Sequence, residues 1–312
     1  MARRAASLPP PPLSLAESQY RCGFVALVGR PNVGKSTLLN ALVGAKVAIV
    51  TPKPQTTRNR LLGIKTLPQA QLLFVDTPGI HQHASSLLNQ RMVAAALQAL
   101  QDTDVALFLV DAQRGVSPAD EEIAQRLSGV RAPVVVVVNK IDLVARAALL
   151  PLLERLATFL PGREIVPVSA LTGENTAELL NTVIASLPPG PALYPSDELT
   201  DQSERVLAQE VVREQLFLHT QQEVPYATAV VVEEFNEKPE KSLLLIRAVI
   251  YVERPSQKAI IIGERGARLK QIGQAARLQL EAFFGCKVFL ELFVKVTKGW
   301  TNSLEMLKEL GL

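Results

Sequence analysis

The sequence predicts an α/β protein in which a domain with a mostly parallel sheet is followed by a smaller α+β domain. Aliphatic runs such as VALFLV and PVVVVV alternate with helical patterns through the first part of the chain. This alternation is typical of a parallel sheet covered by helices on both faces. The second part reads as two strands, an apolar helix, a glycine-containing loop, a basic helix and a last strand. The proline-rich stretch LPPGPALYP separates the two parts, because it can continue neither a helix nor a strand.

Length and composition fit two domains. The chain has 312 residues, 48% of them hydrophobic, and its net charge of +3 is too small to indicate a partner. We predict a disordered tail over residues 1–20, a first domain over 21–187, a linker over 188–198 and a second domain over 199–312. The sequence lacks an apolar run of about 18 residues, so we expect no membrane span. Two distant cysteines favour reduced thiols in a cytoplasmic protein.

The first strand leads into a glycine-rich loop. The apolar run Phe24–Val28 is followed by GRPNVGKS, in which Gly29, Gly34, Lys35 and Ser36 have the spacing of a phosphate-binding P-loop and open a helical pattern. The glycines let backbone N–H groups surround an anion, and the helix N-terminus adds its positive dipole end. We therefore expect Lys35 to reach the β- and γ-phosphates and Ser36 to offer its hydroxyl to Mg²⁺.

Two further stretches after the P-loop complete a predicted phosphate site. The polar stretch Gly44–Arg60, called the switch segment below, contains two prolines and no periodic run, so we predict a loop. Its position between the P-loop helix and the next strand is where a nucleotide-sensing switch would lie. The apolar run Leu72–Val75 then ends in DTPG. Asp76 at a strand end can hold Mg²⁺ through water, and Gly79 lets its backbone N–H approach the γ-phosphate.

The motif NKID, Asn139–Asp142, follows the strand Pro133–Val138 and predicts the base. The carboxylate of Asp142 accepts two hydrogen bonds, which matches the N1–H and 2-amino donors of guanine, whereas adenine presents neither on that edge. Asn139 can tie this loop to the P-loop, and the aliphatic stem of Lys140 can cover the purine face. All these motifs fall at the carboxyl ends of strands, where such sheets bind their ligands.

The motifs GRPNVGKS, DTPG, NKID and SAL, in this order and spacing, resemble the Ras-like GTPase superfamily. With QTTRN at Gln55–Asn59, the chain is similar to the bacterial ribosome-assembly branch that includes Era, Der and MnmE. The resemblance implies a switch threonine on Mg²⁺ and the γ-phosphate, which we assign to Thr57 with Thr56 as the alternative. It also puts Ile80 where Ras-like enzymes have a water-orienting Gln, so we expect slow intrinsic hydrolysis. In some relatives an Asn at the position of Asn32 holds a K⁺ ion.

The resemblance therefore implies GTP or GDP and Mg²⁺ as ligands, with K⁺ as a further candidate. The catalytic residues would be Lys35, Thr57 and Gly79, and the Mg²⁺ residues Ser36, Thr57 and Asp76. The nucleotide-binding residues would be Asn32, Gly34, Lys35, Ser36, Thr37, Asn139, Lys140, Asp142, Ser169, Ala170 and Leu171.

Two alternatives to a GTP-hydrolysing assembly factor stay open. An RNA-binding module in which the nucleotide is only a conformational switch, with negligible turnover, is favoured by the aliphatic Ile80. A membrane-associated signalling GTPase is disfavoured, because the sequence shows no amphipathic anchor. Measuring GTP turnover with and without ribosomal RNA separates the first alternative from hydrolysis.

The second domain divides its charge along the chain. Residues 197–253 carry twelve acidic and five basic side chains, a balance of −7, whereas residues 254–298 carry nine basic and three acidic ones, a balance of +6. The basic part contains an apolar helix, the loop Gly263–Gly266 and a helical pattern from Arg268 onward. A Gly-x-x-Gly loop between two helices lets the backbone approach a nucleic-acid strand, and the flanking apolar groove receives its bases.

The order of these elements resembles a type II KH domain, and IIIGERGARLKQIGQAAR with VFLELFVKVTKGW is similar to the C-terminal KH domain of Era-type GTPases. The resemblance implies binding of single-stranded RNA near the 3′ end of small-subunit ribosomal RNA, during assembly of the small ribosomal subunit. We expect a monomer, with peripheral membrane association left open. Glu264 departs from the family pattern, but Arg265 supplies one base in the loop. The candidate RNA-binding residues are Ile262, Gly263, Glu264, Arg265, Gly266, Arg268 and Lys270.

Overall fold

The computed structural model of the protein describes residues 20–54, 56–79 and 87–309. The predicted disordered tail, apart from Tyr20, lies outside these residues, and so do Gln55 and Ile80. The described chain forms one six-stranded and one three-stranded sheet. Within it, no helix is both long enough and apolar enough to span a membrane.

The first domain alternates strands and helices. Its sheet has the order β2-β3-β1-β4-β5-β6, and all neighbouring strands are parallel except β2 and β3. The elements are β1 (Arg21–Gly29), α1 (Lys35–Val43), β2 (Leu61–Leu67), β3 (Ala70–Asp76), α2 (Leu87–Gln101), β4 (Val105–Asp111), α3 (Pro118–Leu127), β5 (Val134–Asn139), α4 (Arg146–Phe159), β6 (Glu164–Val168) and α5 (Thr176–Ser186).

Helices cover both faces of this sheet, which explains its continuous apolar strands. On one face α1 and α5 pack through residues such as Leu38 and Val183. On the other face α2, α3 and α4 contribute Leu100, Ile123 and Leu156. Every residue of β4 is buried as a result. The parallel arrangement brings the loops that follow β1, β3, β5 and β6 to the same edge of the sheet.

The second domain is a three-stranded sheet with helices on one face. Strand β7 pairs antiparallel with β8, and β8 pairs parallel with β9. Helices α6, α7 and α8 share one apolar core with the inner face of the sheet. The elements are α6 (Glu204–His219), β7 (Thr228–Lys238), β8 (Leu243–Val252), α7 (Pro255–Ile262), α8 (Ala267–Phe284), β9 (Lys287–Val296) and α9 (Leu304–Glu309).

Strand β7 is longer than the sequence predicts. The sequence indicates a turn over Asn236–Lys241, but β7 continues to Lys238, which pairs with Leu243. Asn236, Glu237 and Lys238 are all exposed, so the ladder extends without burying their side chains. The turn is correspondingly tight and includes Ser242 in the left-handed region, at φ 49°.

The proline-rich linker lies against the edge of the first sheet. The side chain of Gln71, which is fully buried, accepts from the backbone N–H groups of Leu193 at 2.8 Å and Tyr194 at 3.0 Å. Farther along, the N–H of Ile64 donates to the carbonyl of Leu199 at 2.8 Å. Among the described residues the linker forms only isolated bridges, but these hydrogen bonds fix its path.

The two domains also meet through an apolar contact beside α2. Leu88 and Met92 of α2 pack in one buried cluster with Ala229, Trp300 and Leu307 of the second domain. Trp300 is fully buried there, and its indole N–H donates to a backbone carbonyl of the second domain at 3.3 Å. The helix that follows DTPG is therefore in direct contact with the second domain.

Candidate functional site

The loop after β1 forms a cradle at the start of α1. Asn32 and Gly34 have φ values of 65° and 99°, and a Cβ on Gly34 would lie 2.3 Å from Asn139 Nδ2. Lys35 Nζ donates to two carbonyl oxygens of the loop at 3.0 and 3.1 Å, and burial lowers the pKa of Lys35 to about 8. A buried ammonium group whose hydrogen bonds among the described residues go to backbone carbonyls is suited to an anion. The cleft is lined by Pro31, Asn32, Gly34, Lys35, Ser36, Thr37, Ile49, Val50, Thr51, Thr56, Thr57 and Gly79.

Oxygen atoms of three side chains converge beside this cradle. Ser36 Oγ donates to Asp76 Oδ2 at 2.6 Å, Thr57 Oγ1 lies 3.1 Å from the same oxygen, and the two hydroxyls are 2.9 Å apart. Asp76 Oδ1 is buried and accepts no hydrogen bond from the described residues. Burial raises the pKa of Asp76, against the effect of Lys35. An unsatisfied carboxylate oxygen beside two hydroxyls fits Mg²⁺. Thr56 instead bonds within the switch segment.

Gly79 lies directly against the P-loop. A Cβ on Gly79 would sit 2.8 Å from the backbone nitrogen of Pro31, so a larger residue forces the two loops apart. Thr77, two residues earlier, donates its hydroxyl to the carbonyl of Leu27 at 2.9 Å and fixes the DTPG turn on β1. The backbone of Gly79 therefore borders the phosphate cradle. Ile80, the next residue, lies outside the described part of the chain.

Asn139 joins three loops of the site. Its Nδ2 donates to the carbonyl of Val33 in the P-loop at 2.9 Å, and its Oδ1 accepts from the N–H of Ala170 at 3.0 Å. Lys140 Nζ donates to Asp111 Oδ2 at 2.7 Å and to a P-loop carbonyl at the same distance. The NKID loop is thus held rigidly against the phosphate cradle, as a base-binding loop requires.

Asp142 is exposed, and one of its carboxylate oxygens is already oriented. Ser169 Oγ, which is buried, donates to Asp142 Oδ1 at 2.6 Å. This bond leaves the other oxygen available to a ligand. Leu171 of the SAL motif is 77% exposed, so it offers its backbone to the site and an apolar side chain to solvent. The loops that carry NKID and SAL thereby form one continuous rim.

The loop between α7 and α8 has the conformation that its glycines permit. Gly263 and Gly266 have φ values of 71° and 81°, and a Cβ on Gly263 would lie 2.8 Å from Arg268 Cβ. Glu264 and Arg265 are exposed. Next to this loop, an open groove of about 690 Å³ runs between α8 and β9. It is lined by Gly266, Leu269, Lys270, Gly273, Gln274, Arg277, Leu290 and Leu292.

The structure distributes the candidate RNA-binding residues unevenly. Lys270 lines the groove with Arg277, which is not among the candidate residues predicted from the sequence. Arg268 instead donates through Nη1 to the carbonyl of Ile260 at 2.7 Å, so it stabilises the junction of the two helices. Ile262 is half-buried at the end of α7. The leucines of the groove give it an apolar surface, and Lys270 and Arg277 add positive charge.

Lys53 and Arg58 are not among the residues predicted from the sequence, although Arg58 stands within the QTTRN stretch. Both side chains bind backbone carbonyls of the second domain. The one sequence signal that could have indicated a buried role for Arg58 is its position beside the switch threonines.

The nucleotide site at the edge of the parallel sheet and the KH arrangement after it define a P-loop GTPase with a C-terminal KH domain. Residues 24–140 match the family model described as a 50S ribosome-binding GTPase, and residues 223–301 match that of the KH domain.

Relatives along nearly the whole chain define the family more closely. GTPase Era of Geobacter metallireducens is 51% identical over 300 residues, which cover 95% of this chain and 99% of that protein. GTPase Era of Marinobacter nauticus is 49% identical over 295 residues, which cover 94% of this chain and 96% of that protein. The crystal structure of Era with MgGDPNP and nucleotides 1506–1542 of 16S ribosomal RNA has a TM-score of 0.91 and 45% identity, covering 94% and 99%. The crystal structure of an Aquifex aeolicus Era variant bound to GDP·AlF4⁻ has a TM-score of 0.90 and 44% identity, and the match covers 93% of this chain and 99% of that chain.

The chain belongs to the Era family of GTPases. The resemblance and the fold class predicted from the sequence are thereby confirmed, and so is the assignment of the chain as a GTPase.

Proposed function

We propose that this chain binds GTP with Mg²⁺, hydrolyses it slowly, and binds single-stranded RNA at the 3′ end of small-subunit ribosomal RNA. Its nucleotide state would be coupled to maturation of the small ribosomal subunit in the cytoplasm. The observation that carries this proposal is the convergence of Ser36, Thr57 and Asp76 beside the buried Lys35, in a chain that also has a KH groove.

The residues of the cradle suit phosphoryl transfer, which depends mainly on positioning and on charge stabilisation. Ser36, Thr57 and Asp76 would hold Mg²⁺, and the ion would supply positive charge to the phosphate oxygens. Lys35 would exchange its two carbonyl partners for phosphate oxygens. The backbone N–H of Gly79 would donate to the γ-phosphate. Each contact stabilises charge that develops as water attacks the γ-phosphorus and the bond to the β-phosphate oxygen breaks.

The second domain supports binding of a single strand. Bases that are not paired can enter the apolar groove between α8 and β9, while the glycine loop lies against the sugar–phosphate backbone. Lys270 and Arg277 line the groove beside the leucines, so a phosphate and a base meet suitable partners within one site. The Era structure with 16S ribosomal RNA nucleotides 1506–1542 supports the same class of RNA for this chain.

A charge reversal in the loop tests the RNA site. We expect Arg265→Asp to weaken binding of a 16S 3′-end oligonucleotide and to reduce the salt dependence of binding by about one unit of slope, because a phosphate contact is lost. Arg265 is exposed, so folding should survive. Affinity for GTP without RNA should not change. Lys308→Asp, at an exposed position outside the loop and groove, is the matched control.

Two readouts separate the possible outcomes. If Arg265→Asp binds the oligonucleotide as tightly as wild type does, the assignment of the Gly263–Gly266 loop to RNA binding is wrong. GTP turnover is then measured with and without the oligonucleotide. Turnover that stays at background in both conditions would leave the nucleotide as a conformational switch only.

A further inference from the structure

The switch segment is fixed to the second domain on both sides of Thr57. On one side, Lys53 Nζ donates to the carbonyl oxygens of Phe217 and Thr220, at and just after the end of α6. On the other side, Arg58 donates to three carbonyl oxygens in the stretch that leads from α6 into the first residue of β7. These acceptors are Pro225 at 3.1 Å, Tyr226 at 3.0 Å and Thr228 at 2.5 Å.

The contact made by Arg58 is buried. Its guanidinium lies 5.9 Å from the ring centroid of Phe217, and only 5% of the residue is exposed. Desolvation, and then the charge of Arg213, lower the pKa of Arg58 to about 9, which leaves it charged at neutral pH. A buried charge is strongly unfavourable without hydrogen bonds, and the planar donor fork of arginine can satisfy several carbonyls at once. The contact therefore depends on one arrangement of the two domains.

A carboxylate of the second domain holds the start of the switch segment. Glu214 of α6 is buried, with 3% of its side chain exposed. It accepts from the backbone N–H of Val50 at 2.9 Å and from Lys46 Nζ at 2.6 Å. This segment has neither helix nor strand among its described residues. The first domain holds its early part through the Asn40 side chain, which bonds to the backbone of Val47 and Ala48. The second domain supplies further bonds on both sides of Thr57.

We propose that Arg58 and Lys53 are positioning residues through which the second domain holds Thr57 at the Mg²⁺ site. Docking of the second domain and Mg²⁺-dependent binding of a nucleoside triphosphate are then one coupled equilibrium. Undocking lowers the fraction of molecules in which Thr57 is in place, and the apparent affinity falls by that fraction. Reciprocally, the triphosphate with Mg²⁺ strengthens docking. This inference rests on the proposed role of Thr57.

The same helix connects this contact to the groove. Helix α6 carries the carbonyl of Phe217 and the carboxylate of Glu214, and its other side packs on α8 in the core of the second domain. Gln215 Nε2 of α6 donates to Gln279 Oε1 of α8 at 3.3 Å. One helix thus lies between the switch segment and the helix that lines the groove.

The test removes the donors without touching the nucleotide cleft. In the full chain, Arg58→Gln should raise by about tenfold the Mg²⁺ concentration that half-saturates binding of a fluorescent non-hydrolysable GTP analogue, equivalent to about 1.4 kcal/mol. Affinity for GDP in the absence of Mg²⁺ should stay at the wild-type value. Arg60→Gln, an exposed arginine of the same segment, should behave as wild type. Arg58→Lys keeps the charge and should fall between wild type and Arg58→Gln.

Three outcomes would overturn the inference. The first is a Mg²⁺ titration of Arg58→Gln that matches Arg60→Gln. The second is an equal loss of Mg²⁺-free GDP binding, which would make Arg58 a structural residue only. If Arg58→Gln does not fold, Lys53→Gln, at a half-buried position, carries the test with a smaller shift in the same direction. The third overturning outcome is then a Mg²⁺ titration of Lys53→Gln that matches the titration of wild type.

A variant of Thr57 separates this inference from the function on which it rests. If Thr57→Ala leaves the Mg²⁺ titration unchanged, the proposed role of Thr57 at the metal is wrong. If Thr57→Ala raises the Mg²⁺ requirement while Arg58→Gln and Lys53→Gln do not, Thr57 keeps its role and only the positioning by the second domain is refuted.

Discussion

Replacing Asp142 with Asn changes one carboxylate oxygen into an amide donor at the proposed guanine contact. In wild type, Ser169 Oγ donates to Asp142 Oδ1 at 2.6 Å and already accepts from the N–H of Thr172 at 3.1 Å, which favours an acceptor at the Oδ1 position. In Asp142→Asn the same hydroxyl should select the amide orientation with its oxygen at the Oδ1 position. The NH2 group then takes the place of Oδ2, where it faces one of the two guanine donors.

This geometry sets the size of the expected effect. A hydrogen bond to a charged group contributes about 1.5–3 kcal/mol, and a donor that loses its acceptor adds a desolvation penalty. We expect GTP binding to weaken by about 3 kcal/mol, or roughly 100-fold. Xanthine has a carbonyl in place of the 2-amino group, so an amide donor suits it. The variant should therefore prefer XTP.

Competition of GTP and XTP against a fluorescent guanine nucleotide measures both affinities. The double variant Asp142→Asn with Ser169→Ala is the sharpest control, because the amide can then rotate and the preference for XTP should shrink. Ser169→Ala alone should keep the preference for GTP. Equal GTP affinity in wild type and Asp142→Asn would remove Asp142 from base recognition, and an unchanged XTP preference in the double variant would refute the orienting role of Ser169.

Three other predictions concern the phosphate cradle. Burial lowers the pKa of Lys35 to about 8 and phosphate binds the charged form, so GTP affinity should fall about tenfold per pH unit above pH 8. Calorimetry in buffers of different ionisation enthalpy should detect the linked proton uptake. A GTP affinity that does not change with pH above pH 8 would contradict this prediction. Asn32 Nδ2 donates to the carbonyl of Pro52 at 3.0 Å, so rotation of the amide would place Asn32 Oδ1 beside the Pro52 carbonyl oxygen and offer both oxygens to K⁺. We expect faster GTP hydrolysis in K⁺ than in Na⁺. Asn32→Ala should hydrolyse GTP at the same rate in both salts. Gly79→Ala should slow GTP hydrolysis about 100-fold but keep the wild-type affinity for GDP, because GDP lacks the γ-phosphate. Single-turnover rates and GDP affinity measure the two effects. A wild-type hydrolysis rate would refute the proposed contact between Gly79 and the γ-phosphate.

The fold of the first domain could be predicted because its core strands contain apolar runs of four or more residues, such as Leu72–Val75 in β3 and Val134–Val138 in β5. The strand Val105–Val110 is predicted within one residue, since burial on both faces leaves no polar position inside it. Helices α2 and α4 are not predicted. Helix α4 contains Pro151, which ordinarily argues against a helix interior.

The nucleotide motifs could be predicted because each is local in sequence. Lys35 and Ser36 are neighbours, and strand ends deliver Asp76 and Asn139 to the same edge of a parallel sheet. The contacts of Arg58 could not be predicted in this way. Their acceptors are backbone carbonyls about 170 residues away, and every residue has a carbonyl, so no side-chain pattern marks the partners.

The arrangement of the contacts between the domains restricts how the second domain can move. Thr57 and Gly79, the two residues proposed to sense the γ-phosphate, are each followed in sequence by a segment that contacts the second domain, through Arg58 and through α2 respectively. The linker is different, because Gln71 and the hydrogen bond from Thr200 Oγ1 to a carbonyl of β2, at 2.6 Å, hold it to the first sheet without any group of the cradle. Helix α6 begins only four residues after Thr200. A movement of the second domain that keeps the linker bonds must therefore turn within residues 201–203, while it breaks or remakes the contacts of both phosphate-sensing segments.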